Sequence, residues 1–511
     1  MDDQHGSRTR AAAAGVAAAV SGAGLGELAA ALFASASSPF GTIGGALIDL
    51  APPAVKDAAI ALFGTADKAA LLVLIAVVLL AIAAGAGLLE ARRPPLGAVL
   101  AAALGGVGLA TAVTRADATA MAWLPSAVAG VTAAWVLRAL VRIAGRPRGH
   151  EPVQGGIDRR RFLVWAGGAT ALGLLAAAGA QLSRAGAAAV TVVRDALRLP
   201  APASAAPAIP AGAALDVPGI APLITPNDEF YRIDTALVVP QVDPADWSLR
   251  IHGLVEREVT LTWDELLALP LEESRTTLAC VSNEVGGDLI GTALWLGYPT
   301  RELLARAAPA ADADMVLSRS TDGFTASTPL EALTDGRDAL LAVGMNGEPL
   351  PPEHGFPVRM VVPGLYGYVS ATKWVVELEV TRFDAQTAYW TTRGWSERGP
   401  IKLQSRIDVP RRGDRVEAGD AVVAGVAWQQ HVGVDGVEVQ IDDGAWRSAD
   451  LAPAISDDTW VQWSLPWTAE PGQHVIRCRA IGADGETQTP DQAPPAPDGA
   501  TGWHERTVTV G

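Results

Sequence analysis

The run "KAALLVLIAVVLLAIAAGAGLL" at 68–89 constrains this chain more than any other stretch, since its only charge is the leading lysine. A helix needs about 20 predominantly apolar residues to cross the roughly 30 Å hydrocarbon core of a bilayer, and this run satisfies that length. Four further stretches qualify, at 11–34, 96–114, 121–143 and 162–182. The chain is 50% hydrophobic and 18% charged, and its mean hydropathy is +0.24. These apolar residues crowd into the first 182 positions, so an all-α transmembrane anchor of about five helices over 1–182 is predicted, followed by a non-membrane part. The stretch 39–63 is interrupted by Pro52, Pro53 and charges, and reads as an outside loop.

Short cytoplasmic loops collect Lys and Arg. With the N-terminus inside, Arg8 and Arg10, Arg92 and Arg93, and the run Arg146, Arg148, Arg159, Arg160 and Arg161 are cytoplasmic, leaving Lys56, Lys68 and Arg115 outside. An odd number of spans then puts everything after residue 182 on the extracytoplasmic side of a cell membrane. The sequence "DRRRFLVWAGG" at 158–168 has two readings, a twin-arginine export signal or an ordinary positive-inside stop. All seven histidines fall outside the spans, which excludes a haem held between helical histidines. The spans hold no evident acid pair for a proton path. The formal charge of −16 lies mostly in the later half and argues against a nucleic-acid surface.

Residues 183–222 are rich in Ala and Pro and read as a linker giving the following part reach. Over 223–397, short alternating segments such as "WSLRIHGLV", "VTLTW" and "KWVVELEV" mix with helical stretches such as "TWDELLAL" and "PTRELLARA", which indicates an α+β domain. Over 398–511 the helical signals stop. "DAVVAGVAW", "VDGVEVQIDDGAWRSADL" and "GQHVIRCRAIGADG" are strands at sandwich spacing, predicting an immunoglobulin-like β-sandwich. The chain is therefore multi-domain.

Two cysteines occur in 511 residues, Cys280 in "TTLACVSNEVGG" and Cys478 in a predicted strand between Arg477 and Arg479. Their different domains argue against a disulfide, and Cys478 suits a buried small hydrophobe. For Cys280 three roles compete: buried thiol, nucleophile or metal ligand.

The segments "TDGFTASTPLEAL" (321–333), "LLAVGMNGEPLPPEHGFPVRMVVPGLYGYVSATKWVVELEV" (340–380) and "AYWTTRGWSERGPIKLQSRIDVP" (388–410), with the cysteine segment, resemble the sulfite oxidase family of molybdenum enzymes. The resemblance runs over nearly all of 223–511 and makes the sandwich a dimerisation-type domain, so a homodimer is implied. It also implies a molybdenum-molybdopterin cofactor with Cys280 as the metal ligand, a role that suits a soft thiolate. Gly286 and Gly287 would let the backbone approach the cofactor. His354 and Arg359 in "HGFPVR" are implied pterin and phosphate contacts, with Ala371, Thr372 and Lys373 in "SATKW" and, more weakly, Asp322 in "TDGF". In "TPNDEFYRIDTAL" (225–237), Asn227, Tyr231 and Arg232 are implied contacts to pterin or substrate, with Asp234 where the family has histidine.

Two departures bear on the substrate. Glu284 and Val285 replace the arginines that follow the family's cysteine, and Trp395 replaces its active-site tyrosine. A carboxylate in place of a cation would repel a small dianion. Trp295 and Arg393 still fit pocket positions, and Cys280, Arg232 and Trp395 are the expected catalytic set. Oxygen-atom transfer on a small sulfur-containing or similar compound is implied, in either direction; a catalytically inactive binding protein is the alternative. No haem site is expected, so electrons would pass to or from a separate cytochrome or membrane redox protein.

Overall fold

The computed structural model describes residues 2–34, 37–50, 67–114, 118, 120–144, 155–184, 187–236 and 239–511. Pro52, Pro53, Lys56, Arg115, Arg146 and Arg148 lie outside the described residues. The chain divides into two compact units, one comprising Met1–Val192 with Ala236–Val239 and the other Val193–Thr235 with Pro240–Gly511.

The first unit is helical: α1 (Asp2–Phe33), α2 (Pro39–Leu50), α3 (Asp67–Arg92), α4 (Leu96–Val113), α5 (Leu124–Ala144) and α6 (Gly155–Arg184). Five of its helices are long and apolar enough to cross a membrane, at Ser7–Phe33, Val73–Arg92, Leu96–Val113, Leu124–Ala144 and Arg160–Ala180. They match the five apolar stretches read from the sequence. Helix α1 packs against α3, α5 and α6. The core contains Ala14, Ala17, Ala18, Ala86, Leu137, Leu140 and Phe162, where small side chains let the helix backbones approach closely. Large apolar side chains face outward instead, Trp135 being 72% and Leu175 70% exposed. In water such a surface would be a costly patch, whereas hydrocarbon satisfies it.

One sequence expectation is corrected here. The stretch expected as an outside loop begins with helix α2, which starts at Pro39 and has Ser38 Oγ accepting from Gly41 N at 3.2 Å. Two acids are also buried in these helices. Glu27 takes Ser38 Oγ at 2.7 Å, and Glu90 takes Ala98 N at 2.9 Å with Arg138 Nε at 3.7 Å. Both sit near helix ends, where turns supply donors.

The second unit opens with the Ala/Pro-rich stretch laid along the fold. Ala203 N donates to Leu271 O at 2.7 Å, Glu273 N to Ser204 O at 2.9 Å, and Leu215 N to Gln462 Oε1 at 2.6 Å. Two sheets follow. One has the order Val259–Thr262, Ser248–Gly253, Val375–Thr381, Met315–Ser320, Thr325–Pro329, with Ser248–Gly253 parallel to Val375–Thr381. The other runs Glu272–Ala279, Ile290–Pro299, Leu340–Met345, Glu348–Pro349, and Arg359–Val361 joins it by pairing with Leu340–Met345. The short helix Trp263–Leu267 starts in a capping box between Thr262 and Glu265, as "TWDELLAL" suggests. Helix Thr300–Ala307 ends at left-handed Ala308.

Residues 404–510 form two facing sheets. One contains Gln404–Val409, Gly419–Trp428, Val461–Ala469 and Asp450–Leu451; the other Arg415–Val416, His504–Val510, Gly472–Gly482, Val434–Ile441 and Arg447–Ser448. Ile407, Val423, Val437, Trp463, Ile476 and Cys478 fill the space between them. Cys478 is fully buried and unpaired, with Ser405 Oγ 3.3 Å from its sulfur. The α+β core runs into this sandwich through Trp428 and Trp460.

Trp460 is 2% exposed, its indole donates to Leu223 O at 2.9 Å, and its backbone N–H donates to Thr277 Oγ1 at 2.8 Å. Trp460→Ala empties that junction and strands the Leu223 carbonyl. A loss of about 3–5 kcal/mol is expected in denaturant unfolding of the full chain.

Candidate active site

Strand ends from both α+β sheets converge on one cavity of about 110 Å3 that opens to solvent. Cys280 follows directly on strand Glu272–Ala279. Arg359 opens the strand Arg359–Val361, Lys373 and Trp374 precede Val375–Thr381, and Asp322 sits in the turn between Met315–Ser320 and Thr325–Pro329. These five positions, with Tyr231, His354, Ala371 and Trp395, line the cavity. Residues as distant in sequence as Tyr231 and Trp395 share this one cavity because the sheets place their strand ends together.

The cysteine sits at the start of a tight loop. Cys280 N donates to Leu289 O at 2.9 Å, Asn283 N to Cys280 O at 3.1 Å, and Leu289 N to Asn283 Oδ1 at 2.9 Å. Cys280 is 8% exposed, and the Ser282 N–H lies 3.4 Å from its sulfur. Burial pushes the thiol up, with only the Ser282 hydrogen bonds pulling it back. A free thiolate is therefore disfavoured at this position, which weighs against a nucleophile working alone.

On the facing wall, His354 is 3% exposed and its Nε2 meets Asn227 O at 3.0 Å. Burial and the nearby Arg359 hold it down to about 4, so it is neutral at pH 7. Arg359 is buried as well. It donates through Nη1 to His354 O at 3.0 Å and lies 5.0 Å over the Trp295 ring. Burial lowers its guanidinium to about 10, still cationic at neutral pH. Gly355 makes this approach possible. Its φ is +114, and a Cβ there would come within 2.9 Å of Arg359 Cβ and 3.2 Å of Lys373 Cβ.

Lys373 Nζ pairs with Asp234 Oδ2 at 2.7 Å and donates to Glu353 O at 2.9 Å. Asp234 also takes Arg232 Nε at 3.0 Å. Burial lowers Lys373 to about 8, while Asp234 opposes the shift. The carboxylate standing where the resemblance expects histidine thus holds the pocket lysine. Trp374, next in the chain, has φ +52, left-handed for a bulky residue, and is fixed by its indole bond to Pro352 O at 2.9 Å. Strain of this kind persists where surrounding structure over-determines it.

Not every expected residue reaches the cavity. Asn227 supports it from behind, through the His354 contact and Asn346 Nδ2, which reaches its Oδ1 at 2.8 Å. Thr372 is buried against Ser318 at 2.7 Å, and Trp295 lies fully buried beneath Arg359 with its indole on Thr276 O. Arg232 is outside the lining. Arg393 stacks 3.5 Å over Tyr389 and donates to Tyr389 O at 2.7 Å, away from the pocket wall. Gly286 and Gly287 are corrected too, because they face the sandwich. With φ +76, a Cβ on Gly286 would lie 2.3 Å from His504 Nε2, and Arg406 Nη1 donates to Gly287 O at 2.9 Å. Glu284 is exposed and Val285 half-buried, both outside the lining, so the repulsion expected from Glu284 is not built into the pocket. Tyr368, Trp390, Phe324 and Ser282 line the cavity but were not singled out by sequence reading. "AYW" and "LYGYVS" carried the only available signal.

The description "Oxidoreductase molybdopterin binding domain" matches residues 236–390. Sulfite oxidase of Gallus gallus is 30% identical over 325 residues, covering 53% of this chain and 69% of that protein. This chain belongs to the sulfite oxidase family. Mitochondrial sulfite oxidase of Homo sapiens is 30% identical over 321 residues, and the chain spans 58% of its length. The uncharacterized oxidoreductase YuiH of Bacillus subtilis is 32% identical over 170 residues, covering 33% of this chain and 82% of that protein. Family membership makes the α+β part a molybdopterin oxidoreductase domain.

In this family member the sandwich backs the cysteine loop, and His504 is the joint. It is 6% exposed, its Nδ1 accepts from Ile407 N at 2.9 Å, and burial with Arg506 and Arg406 nearby lowers it from 6.5 to about 3. The unfolded chain therefore takes up this proton first as pH falls. The stabilisation is whole above about pH 6.5 and drains between there and about 3. Urea unfolding from pH 7 to 4 is expected to show a shallower pH slope for His504→Asn than for the wild type.

Proposed function

We propose that the protein is a membrane-anchored molybdenum oxidoreductase whose catalytic part lies on the extracytoplasmic side and transfers an oxygen atom to or from a small sulfur compound. One observation carries this reading: the Cys280 thiol, His354, Arg359 and Lys373 line the same cavity despite their separation in sequence. Among the described residues no group of three or more His, Cys, Asp or Glu could hold a metal. One thiolate plus an organic ligand is thus the donor set that fits.

The residues present suit molybdenum-molybdopterin. Cys280 Sγ would be the protein ligand, and metal binding would supply the energy that ionises a thiol which burial keeps protonated. Arg359 and Lys373 offer cations for the pterin's terminal phosphate, while neutral His354 offers a ring-nitrogen contact in the same wall. When bound, the group supplies a two-electron oxo-transfer centre. The chain orients the substrate, and Tyr231, its phenol pushed well up by burial, stays a neutral hydroxyl donor at the cavity wall. Tyr368, Trp390 and Trp395 form an aromatic rim, with Trp395 5.9 Å from Tyr368 and 6.1 Å from Trp390, that keeps water from the reacting atoms.

That rim favours a second reading of direction and substrate. With Trp395 in place of a tyrosine at an aromatic mouth, a neutral organic sulfoxide fits better than a sulfite dianion.

Purified from a host that makes the cofactor, the protein should carry about one molybdenum and one pterin per chain. Cys280→Ser should lose the metal with circular dichroism unchanged; a folded, metal-free wild type would overturn the proposal. For topology, a phosphatase active only outside the cytoplasm, fused after Gly511, should be active, and one fused after Arg92 silent.

A further inference from the structure

Helices α1 to α6 surround a second cavity of about 360 Å3 inside the helical unit. Protein interiors rarely leave voids larger than a water molecule, and the walls here are almost wholly apolar, with Leu79, Leu80, Leu104 and Phe40 among them. Water is a poor filling for such a space, because each molecule needs two to four polar partners. Two polar groups do line it. Ser126 is 1% exposed, and its hydroxyl has no hydrogen-bond partner among the described residues. Glu27 is 8% exposed, with Ser38 Oγ on its Oε1 at 2.7 Å.

A buried hydroxyl left unmet costs its full desolvation, so the occupant must bring an acceptor to Ser126 as well as apolar bulk. A bare hydrocarbon tail supplies only the bulk. A ring carbonyl on a lipophilic molecule supplies both, and a five-span unit gives such a molecule a route from the bilayer. The chain's family chemistry moves electrons in pairs, and quinones are the lipid-soluble carriers that do the same. We propose that this chamber binds a lipid-soluble quinone, one ring carbonyl accepting from Ser126 Oγ and the apolar walls taking the ring and the start of its tail. The choice of a quinone rests on the oxidoreductase reading proposed above, whereas the chamber and the unmet Ser126 hydroxyl do not, so molybdenum content and quinone binding fail separately.

The test uses the full chain in detergent, freed of bound lipid and titrated with decylubiquinone by equilibrium dialysis. One saturable site per chain is expected. Ser126→Ala, which removes one hydroxyl, should weaken binding about 3- to 10-fold, and Ala101→Phe should abolish it by filling the chamber; molybdenum content should not change in either. Decylbenzene, which has no carbonyl, should fail to displace the quinone. Non-saturable binding, unchanged affinity in Ser126→Ala, equal competition by decylbenzene, or a retained phospholipid that quinone cannot displace would each overturn the proposal.

Discussion

The pocket depends on the closure of the loop from Cys280 to Leu289. Two backbone bonds and the Asn283 carboxamide pin its ends together, and the sandwich presses on its outer side through Arg406 and His504. A short loop held from both sides keeps one sulfur at one place on the cavity wall. That placement is what a metal ligand requires, because an error of about 1 Å in a functional group can cost orders of magnitude in rate. The sandwich therefore has work inside a single chain, whatever it does between chains.

The opposite wall sets the electrostatics. Arg359 and Lys373 are both buried, and burying cations is expensive unless they are paired or hydrogen-bonded. Lys373 meets that demand with Asp234, and Arg359 with the His354 carbonyl and the face of Trp295. The arrangement keeps one strongly held guanidinium and one half-neutralised ammonium around a neutral imidazole. An anionic group entering here finds partners already oriented, which reduces the cost of ordering them on binding.

The helical unit follows different rules. Its apolar side chains face outward, and small residues fill the contacts between helices, as expected where lipid rather than water is the solvent. Its buried acids and its internal chamber are departures from that pattern, and both lie where helix ends and Gly/Ala-rich faces leave room.

Much of the architecture was legible from residue order. Five spans declared themselves by length and hydropathy, and the sandwich strands by alternation between Asp-Gly turns. The helices at 263–267 and 300–307 were legible as short helical stretches among the strands. Strand Ile290–Pro299 was not legible, because it is buried on both faces and so carries no alternation. The candidate site divides in the same way. Residue chemistry left Cys280 among three roles, and the resemblance to the sulfite oxidase family singled it out as a ligand together with His354, Arg359 and Lys373. Only the tertiary structure decided that Asp234 holds Lys373, that Gly286 faces His504, that Trp295 and Thr372 lie behind the wall, and that Trp390 and Tyr368 join the rim. Those outcomes depend on which strand ends meet in space, and strand pairing between distant segments is a property of the packed sheets rather than of any one stretch of chain.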